Sequence, residues 1–294
     1  MSLRNILKGT GVALITPFET DYAVDYKALE KVIDFVIEGG VEYLITLGTT
    51  GETPTLTKTE KIEIINFTID KVKNRVPVVV GIGGNNTKDT IHDLETFPLG
   101  KAIAALSASP AYNKPSQQGI YEHYKALAEA SPKPIILYNV PGRTGSNITA
   151  STTLRLAEIK NIAGIKEASG NMLQGMQIIK YRPQDFLVVS GDDHLALPLV
   201  ACGMDGVISV AANCFPKDFS EMIRQALQYN FEDAQKLHYK CLEGLDLLFA
   251  ENNPAGVKAF LSELGLIKDI LRLPLVPLSG PLHNEVKEFL SRLS

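Results

Sequence analysis

Eight short apolar segments recur along the chain, and their spacing restricts the fold more than any other feature of the sequence. They cover residues 12–15, 43–47, 76–82, 102–106, 135–138, 162–165, 186–189 and 206–210. Most are separated by helical patterns: residues 25–40 carry their apolar side chains on one face, and Thr57 with Glu60 forms a capping-box pattern before the next helix. Apolar strands that alternate with helices predict a parallel sheet covered on both faces.

Eight parallel strands fit a (β/α)8 TIM barrel, an α/β fold in which helices surround a closed sheet. A doubly wound sheet is the competing prediction, but it usually carries a G-x-G-x-x-G turn after its first strand. Here the first strand runs into Thr16-Pro-Phe18. After the eighth strand the pattern is helical over residues 231–249, 253–264 and 283–293. We therefore predict a barrel over residues 1–228 and a C-terminal helical domain over residues 229–294.

Composition and charge argue against several classes of protein. Hydrophobic residues make up 45% of the 294 residues, charged residues 21%, and the net charge is −4. We expect no nucleic-acid partner, because lysines and arginines form no run. We expect no membrane segment, because no apolar stretch approaches the roughly 18 residues required, and the N-terminus lacks a signal-peptide core. Three cysteines without CxxC spacing fit a reducing cytoplasm, and we expect all three to be buried.

A lysine and a tyrosine follow two neighbouring predicted strands. Catalytic groups of a barrel lie at the C-terminal ends of its strands, and Lys166 and Tyr138 occupy such positions. Strand alternation predicts that Lys166 shares a face with Ile162 and Gly164, and that Tyr138 shares one with Ile136. If these faces point inward, the amine and the phenol meet at the barrel mouth. Burial would favour the neutral amine, which attacks ketones. A solvent-exposed lysine and a core tyrosine remain the alternatives.

Polar residues near other strand ends are candidates for binding carboxylates. Thr49 and Thr50 lie between glycines after the second strand and offer hydroxyls and backbone N–H groups. Arg143 offers a bidentate guanidinium in the loop after Tyr138, although a lone arginine is more often a surface residue. Asp192-Asp193 follows the seventh strand, but two adjacent carboxylates do not make a site. The five histidines are scattered without metal-ligand spacing, so we expect no metal.

Five motifs, in order, resemble those of the dihydrodipicolinate synthase family of pyruvate-dependent class I aldolases and lyases, which includes N-acetylneuraminate lyase. The resemblance extends from about Gly9 to about Leu273. The motifs are Gly48-Thr-Thr-Gly-Glu52, Tyr112-Asn-Lys-Pro115, Tyr138-Asn-Val-Pro-Gly-Arg-Thr-Gly145, Gly164-Ile-Lys-Glu-Ala-Ser-Gly-Asn171 and Gly206-Val-Ile-Ser209. The resemblance implies a barrel with a C-terminal helical domain that assembles as a homotetramer. It also implies condensation of pyruvate with L-aspartate 4-semialdehyde in lysine and diaminopimelate biosynthesis.

The resemblance also implies a role for each candidate residue. Lys166 would form a Schiff base with pyruvate, so no metal or organic cofactor would be needed. Tyr138, Thr49 and Tyr112 would form a proton relay, with Tyr112 supplied by the neighbouring subunit. The remaining predicted contacts are to substrate carboxylates. Thr50 and the backbone at Ile208 would hold the carboxylate of pyruvate. Arg143 would bind the carboxylate of the second substrate at the mouth, near Gly191.

Two other functions are compatible with the same fold. A sugar-acid lyase, such as N-acetylneuraminate lyase or a 2-keto-3-deoxy sugar-acid aldolase, would bind a polyol where Arg143 offers a cation, so Arg143 favours the synthase. A non-catalytic metabolite-binding barrel would be expected to lack Lys166 or Tyr138, and both are present.

One departure from the family pattern concerns inhibition by lysine. Members that lysine inhibits typically carry a tyrosine just before the position of Tyr112, where this chain has Ala111. Lys58 and Lys61 occupy helix positions where those members often carry histidines, and their charge would repel a cationic effector. We therefore expect feedback inhibition by lysine to be weak or absent.

Overall fold

A computed structural model describes residues 2–293 and contains a closed parallel barrel, which confirms the predicted TIM fold. Its strands pair in chain order, and the first pairs with the eighth. They are β1 (Gly9–Ala13), β2 (Tyr43–Thr46), β3 (Val78–Gly81), β4 (Ala104–Ala108), β5 (Ile135–Asn139), β6 (Ile162–Glu167), β7 (Leu187–Ser190) and β8 (Gly206–Ser209).

Ten helices precede or alternate with the strands in the described part of the chain, and three more follow. They are α1 (Leu3–Ile6), α2 (Tyr26–Glu38), α3 (Lys58–Val72), α4 (Thr87–Thr96), α5 (Gln117–Ala130), α6 (Pro141–Thr144), α7 (Ala150–Ala157), α8 (Met172–Tyr181), α9 (Ala196–Ala201), α10 (Pro216–Leu227), α11 (Phe231–Phe249), α12 (Ala255–Glu263) and α13 (Gly280–Leu293). The predicted capping box before α3 is present: Thr57 Oγ1 accepts from the Glu60 N–H, and Glu60 accepts from the Thr57 N–H.

The predicted start of the first strand was wrong. We predicted residues 12–15, whereas β1 spans Gly9–Ala13 and pairs with β8 from Gly9 onward. The apolar pattern could not show this, because glycine carries no hydrophobic signal. Gly11 is required here, since a Cβ on it would lie 2.2 Å from a ring carbon of Tyr43. The Tyr43 ring thus fills the barrel interior against β1.

Two apolar layers result from the alternation of side chains along the strands. One layer fills the barrel interior and includes Tyr43, Ile45, Leu106, Ile136 and Val189. The other lies between the sheet and the surrounding helices. Tyr138 belongs to the inner layer with Ile136, as predicted.

The predicted alternation along β6 was partly wrong. Ile162 pairs with Ile135, but Gly164 pairs with Ile136, so Ala163 is an extra residue in the strand. This bulge reverses the alternation, and Ile162 packs in the outer layer rather than sharing the face of Lys166. Hydrophobicity does not reveal such a bulge, because both faces of a buried strand are apolar.

The C-terminal helices pack against one another, and α11 also packs against α9 and α10 of the barrel. Helix α11 has the predicted bounds, whereas α12 begins at Ala255 rather than residue 253 and α13 at Gly280 rather than 283. Phe260 of α12 and Phe289 of α13 form edge-to-face ring pairs with Phe215, 5.3 and 6.0 Å between centroids. We propose residue 229, in the turn between α10 and α11, as the domain boundary.

Two surface properties bear on the sequence predictions. Within residues 2–293, no helix combines the length and hydrophobicity of a membrane span. All three cysteines are free thiols, but Cys202 is exposed, so the expectation that all three are buried was wrong. Cys202 directly follows α9, where the chain turns towards β8 on the outside of the barrel.

Candidate active site

Lys166 and Tyr138 meet inside the mouth of the barrel. Their Cα atoms are paired across β5 and β6, and Lys166 Nζ lies 4.4 Å from the centroid of the Tyr138 ring. Lys166 is only 5% exposed and Tyr138 8%. A strand-end lysine that extends to solvent would be largely exposed, so the structure excludes that alternative. A buried amine beside a phenol is suited to nucleophilic attack assisted by proton transfer.

A hydrogen-bonded cluster lies on the face of the sheet opposite Lys166 and Tyr138 and fixes the ends of the strands that carry them. The buried Glu167 carboxylate accepts from Asn139 Nδ2 at 2.9 Å, from Gln174 Nε2 at 3.0 Å and from the Ser169 N–H at 2.7 Å. Asn139 and Glu167 each directly follow one of the two reactive residues along the chain. Because all these donors are satisfied, the cluster holds β5 and β6 in register.

Gly191 leaves the space that the Lys166 side chain occupies. A Cβ at Gly191 would lie 2.7 Å from Lys166 Cε and 2.7 Å from the Cβ of Ala168. No side chain fits at this position without displacing the lysine stem. The glycine after β7 is therefore a steric requirement of the site.

A cavity of about 820 Å³ opens from these residues towards the C-terminal helices. Six of the eight predicted site residues line it: Thr49, Thr50, Tyr138, Arg143, Lys166 and Gly191. Ile208 does not, since its side chain is buried in the inner layer of the barrel. Its main chain belongs to β8, one residue before Ser209. The cavity volume suits small organic acids rather than a macromolecule.

Tyr112 stands apart from the cavity of its own chain. It is 92% exposed and has a left-handed backbone, with φ at 68°. Its N–H donates to the carbonyl of Thr144 at 3.1 Å, which ties it to the loop carrying Arg143. Tyr22 and Tyr229 also combine a left-handed backbone with an exposed ring, so what distinguishes Tyr112 is its almost complete exposure next to the Arg143 loop.

Asp193 contributes a buried carboxylate to the cavity wall. Its Oδ2 accepts from the Val210 and Ala211 N–H groups at 2.9 and 3.2 Å, while Oδ1 has no hydrogen-bond partner among the described residues. Burial raises the pKa of Asp193, although these hydrogen bonds, Ser209 and the nearby Lys166 oppose the shift. Its negative form can balance positive charge that develops on Lys166. Within residues 2–293, no group of acidic, histidine and cysteine side chains is arranged to hold a metal ion.

Sequence reasoning missed the contribution of the C-terminal segment. Phe249, Asn252, Asn253, Pro254, Pro274 and Leu275 also line the cavity. Asn253 is buried and bonds to Thr50, and Lys258 bonds to Glu52 beside the threonine loop. The only local signal was polar Asn252-Asn253 before a proline at a helix start, a common helix-entry pattern.

Comparisons with known proteins give one consistent result. Residues 6–293 match the model of the dihydrodipicolinate synthetase family. A 4-hydroxy-tetrahydrodipicolinate synthase of Flavobacterium psychrophilum is 50% identical over 287 residues, covering 97% of this chain and 98% of that protein. The dihydrodipicolinate synthase of Aquifex aeolicus has a crystal structure with a TM-score of 0.94 and 41% identity, covering 97% and 98% of the two chains. That of Thermotoga maritima gives a TM-score of 0.95 at 38% identity, covering 98% of each.

Proposed function

The chain belongs to the dihydrodipicolinate synthetase family, and we propose that Lys166 is the nucleophile that binds pyruvate as a Schiff base. Its activity is that of a 4-hydroxy-tetrahydrodipicolinate synthase, a class I aldolase-type lyase of lysine and diaminopimelate biosynthesis. The observation that carries the proposal for Lys166 is the placement of its buried amine 4.4 Å from the Tyr138 ring in the mouth cavity.

The proposed reaction begins with attack of the Lys166 amine on the ketone carbon of pyruvate, with loss of water. The resulting iminium is an electron sink, so a methyl proton leaves and an enamine forms. The enamine carbon adds to the aldehyde of L-aspartate 4-semialdehyde, and cyclisation releases the heterocycle and the free lysine. Asp193 lies on the same wall, and its ionised form would balance the charge of the cationic intermediate.

Proton movement is assigned to Tyr138, Thr49 and Tyr112. Tyr138 and Thr49 line the cavity with Lys166, which supports their role within one chain. Tyr112 is 92% exposed and does not line the cavity of its own chain, which supports a role in the site of a neighbouring subunit. We accordingly propose a homotetramer as the active assembly.

Substrate carboxylates are assigned to two regions of the cavity. We propose that Thr50 and the backbone at Ile208 hold the carboxylate of pyruvate. Arg143, whose guanidinium lines the mouth, binds that of the second substrate close to Gly191. We also propose a cytoplasmic location, supported by the three free thiols.

Trapping with borohydride tests the Schiff base directly. The protein is incubated with saturating pyruvate, reduced, and examined by intact mass and peptide mapping. One reduced pyruvate on the Lys166 peptide is expected, and none on a Lys166→Met variant. A wild-type protein without adduct would contradict the proposal. A condensation assay with L-aspartate 4-semialdehyde, run beside N-acetylneuraminate cleavage, then checks the second substrate.

Mixed assemblies test the role of Tyr112 across subunits. Tyr112→Phe and Lys166→Met proteins are each expected to have little activity. After unfolding and refolding together, a hybrid contains sites that combine an intact Lys166 with an intact Tyr112 from the other chain. Recovery of a substantial fraction of wild-type activity is expected, and no recovery in verified hybrids would contradict transfer across the interface.

A further inference from the structure

The connection between α11 and α12 touches both residues assigned to substrate carboxylates. Asn253 is 5% exposed, and its Nδ2 donates to Thr50 Oγ1 at 3.0 Å. The main-chain carbonyl of Asn253 accepts from Arg143 Nη2 at 3.3 Å. One residue outside the barrel therefore contacts two groups on different barrel loops.

The direction of the first hydrogen bond determines where the Thr50 hydroxyl proton points. A hydroxyl has one proton to donate, whereas an amide nitrogen donates only. Because Asn253 Nδ2 donates to Thr50 Oγ1, the O–H of Thr50 must point to another acceptor. Within residues 2–293 the Thr50 hydroxyl accepts this hydrogen bond and donates none, and Thr50 borders the cavity. The proton is therefore available to a bound anion.

A buried ion pair joins the same two segments a few residues after this contact. Lys258 Nζ lies 2.5 Å from Glu52 Oε1, and both side chains are fully buried. Lys258 Nζ also donates to the Ile270 carbonyl at 2.8 Å, and Glu52 Oε2 accepts from the Arg272 N–H at 3.0 Å. Glu52 lies two residues after Thr50, so the threonine turn is fixed to α12 and not only to the barrel.

We infer that Asn253 is a positioning residue for carboxylate recognition: its amide directs the Thr50 hydroxyl proton at the pyruvate carboxylate, and its carbonyl orients Arg143. This inference rests on the proposed function, because it takes pyruvate as the anion bound at Thr50. The C-terminal helical segment thus completes the binding site of the barrel.

Substitution of Asn253 by aspartate tests the orientation with a minimal change of shape. The carboxylate accepts only, so it takes the Thr50 proton and turns the hydroxyl lone pairs towards pyruvate. A hydrogen bond to a charged group is worth enough to change affinity about tenfold or more. We expect Asn253→Asp to raise KM for pyruvate by about that factor, with a much smaller change in kcat and with the borohydride adduct still forming at saturating pyruvate.

A matched control separates orientation from the added charge. Asn252→Asp places the same charge on the neighbouring exposed residue at the cavity rim, and we expect KM to change by about twofold or less. Asn253→Ala removes the hydrogen bond to Thr50 but does not reverse its direction. We therefore expect a KM between those of the wild type and of Asn253→Asp. In a Thr50→Val background, Asn253→Asp should raise KM no more than Asn252→Asp does.

Three results would overturn the inference. They are equal effects of the two aspartate variants in the wild-type background, an undiminished effect of Asn253→Asp in the Thr50→Val background, or an unchanged KM in Asn253→Ala. Thermal midpoints verify that each variant is folded, and Asn253→Ala decides the matter if Asn253→Asp does not fold. Failure of the proposed function is distinguishable, because the wild-type protein would then form no pyruvate adduct.

Discussion

Lys166 Nζ lies over the ring of Tyr138 at 4.4 Å from its centroid, and the two Cα atoms are directly paired across neighbouring strands. The next residue on each strand, Asn139 and Glu167, forms a buried hydrogen bond of 2.9 Å on the opposite side of the sheet. Strand pairing and this hydrogen bond therefore fix the backbone positions from which the two reactive side chains extend.

Removal of the Tyr138 hydroxyl should separate Schiff-base formation from turnover. Tyr138→Phe keeps the ring beside the amine but removes the proton-transferring group, so we expect kcat to fall about 10²–10⁴-fold. Borohydride should still trap pyruvate on Lys166 after long incubation. Tyr124→Phe is the control, since Tyr124 is buried and its hydroxyl donates to the Ser107 carbonyl outside the cavity. Equal kcat values for the two variants would contradict the relay.

A methyl group at Gly191 should slow formation of the adduct between Lys166 and pyruvate, a step that does not involve the second substrate. The new Cβ would lie 2.7 Å from Lys166 Cε, so the stem must move from its place beside Tyr138. Because small displacements of reacting groups are costly, we expect the rate of adduct formation to fall about a hundredfold. Gly142→Ala is the control, because it borders the same cavity and a Cβ there meets nothing within 4 Å. Samples quenched with borohydride at timed intervals after pyruvate is added give the rate of adduct formation for both variants.

Removal of one partner of the buried Glu52–Lys258 pair should cost much more stability than removal of both. Burial lowers the pKa of Lys258 to about 8, against the effect of Glu52. Lys258→Met leaves a buried carboxylate without its cation, so we expect a loss of about 3–5 kcal/mol in the free energy of unfolding. The double variant with Glu52→Gln should recover most of that loss. Urea unfolding measures all variants, and Lys236→Met on the surface serves as control. Additive single effects would contradict the coupling.

Acid should destabilise the protein through His123. Burial lowers the pKa of His123 to about 4 from 6.5. The unfolded chain therefore binds a proton that the folded one rejects, so this contribution is complete above pH 6.5 and is lost as pH falls towards 4. The loss is roughly 3 kcal/mol over this window. His123→Gln should flatten the pH dependence of unfolding relative to the exposed His92→Gln, and parallel profiles would contradict the assignment.

Lysine should inhibit this enzyme weakly or not at all. Ala111 stands where an aromatic residue is typical of inhibited members, and Lys58 and Lys61 add positive charge on α3. Lys58 pairs with Asp93 at 3.1 Å, which only partly offsets its charge towards a cationic effector. Initial rates at saturating pyruvate and increasing lysine test this, with alanine as a control amino acid. The positive charge on α3 should repel lysine and keep its affinity low. Half-inhibition below about 1 mM lysine would therefore show that the prediction is wrong.

Periodicity and motif order were sufficient to predict the barrel, the helical C-terminus and the candidates Lys166 and Tyr138. These features are local, because the alternation of strands and helices and the spacing within each motif depend on residues that are close together in the sequence. The same reasoning failed at β1 and at Ala163, because a glycine and a bulge change register without changing hydrophobicity.

Tertiary packing decided which residues complete the site. Asn253 lies about two hundred positions from Thr50 along the chain, and Lys258 is equally far from Glu52, yet both pairs are in contact. No pattern in the sequence predicts these contacts, because they depend on how the C-terminal helices dock against the barrel mouth. Asn253 and Lys258 are polar side chains that are buried only because the C-terminal segment packs against the barrel, where each finds a hydrogen-bonding or charged partner. That packing forms only when the whole chain folds.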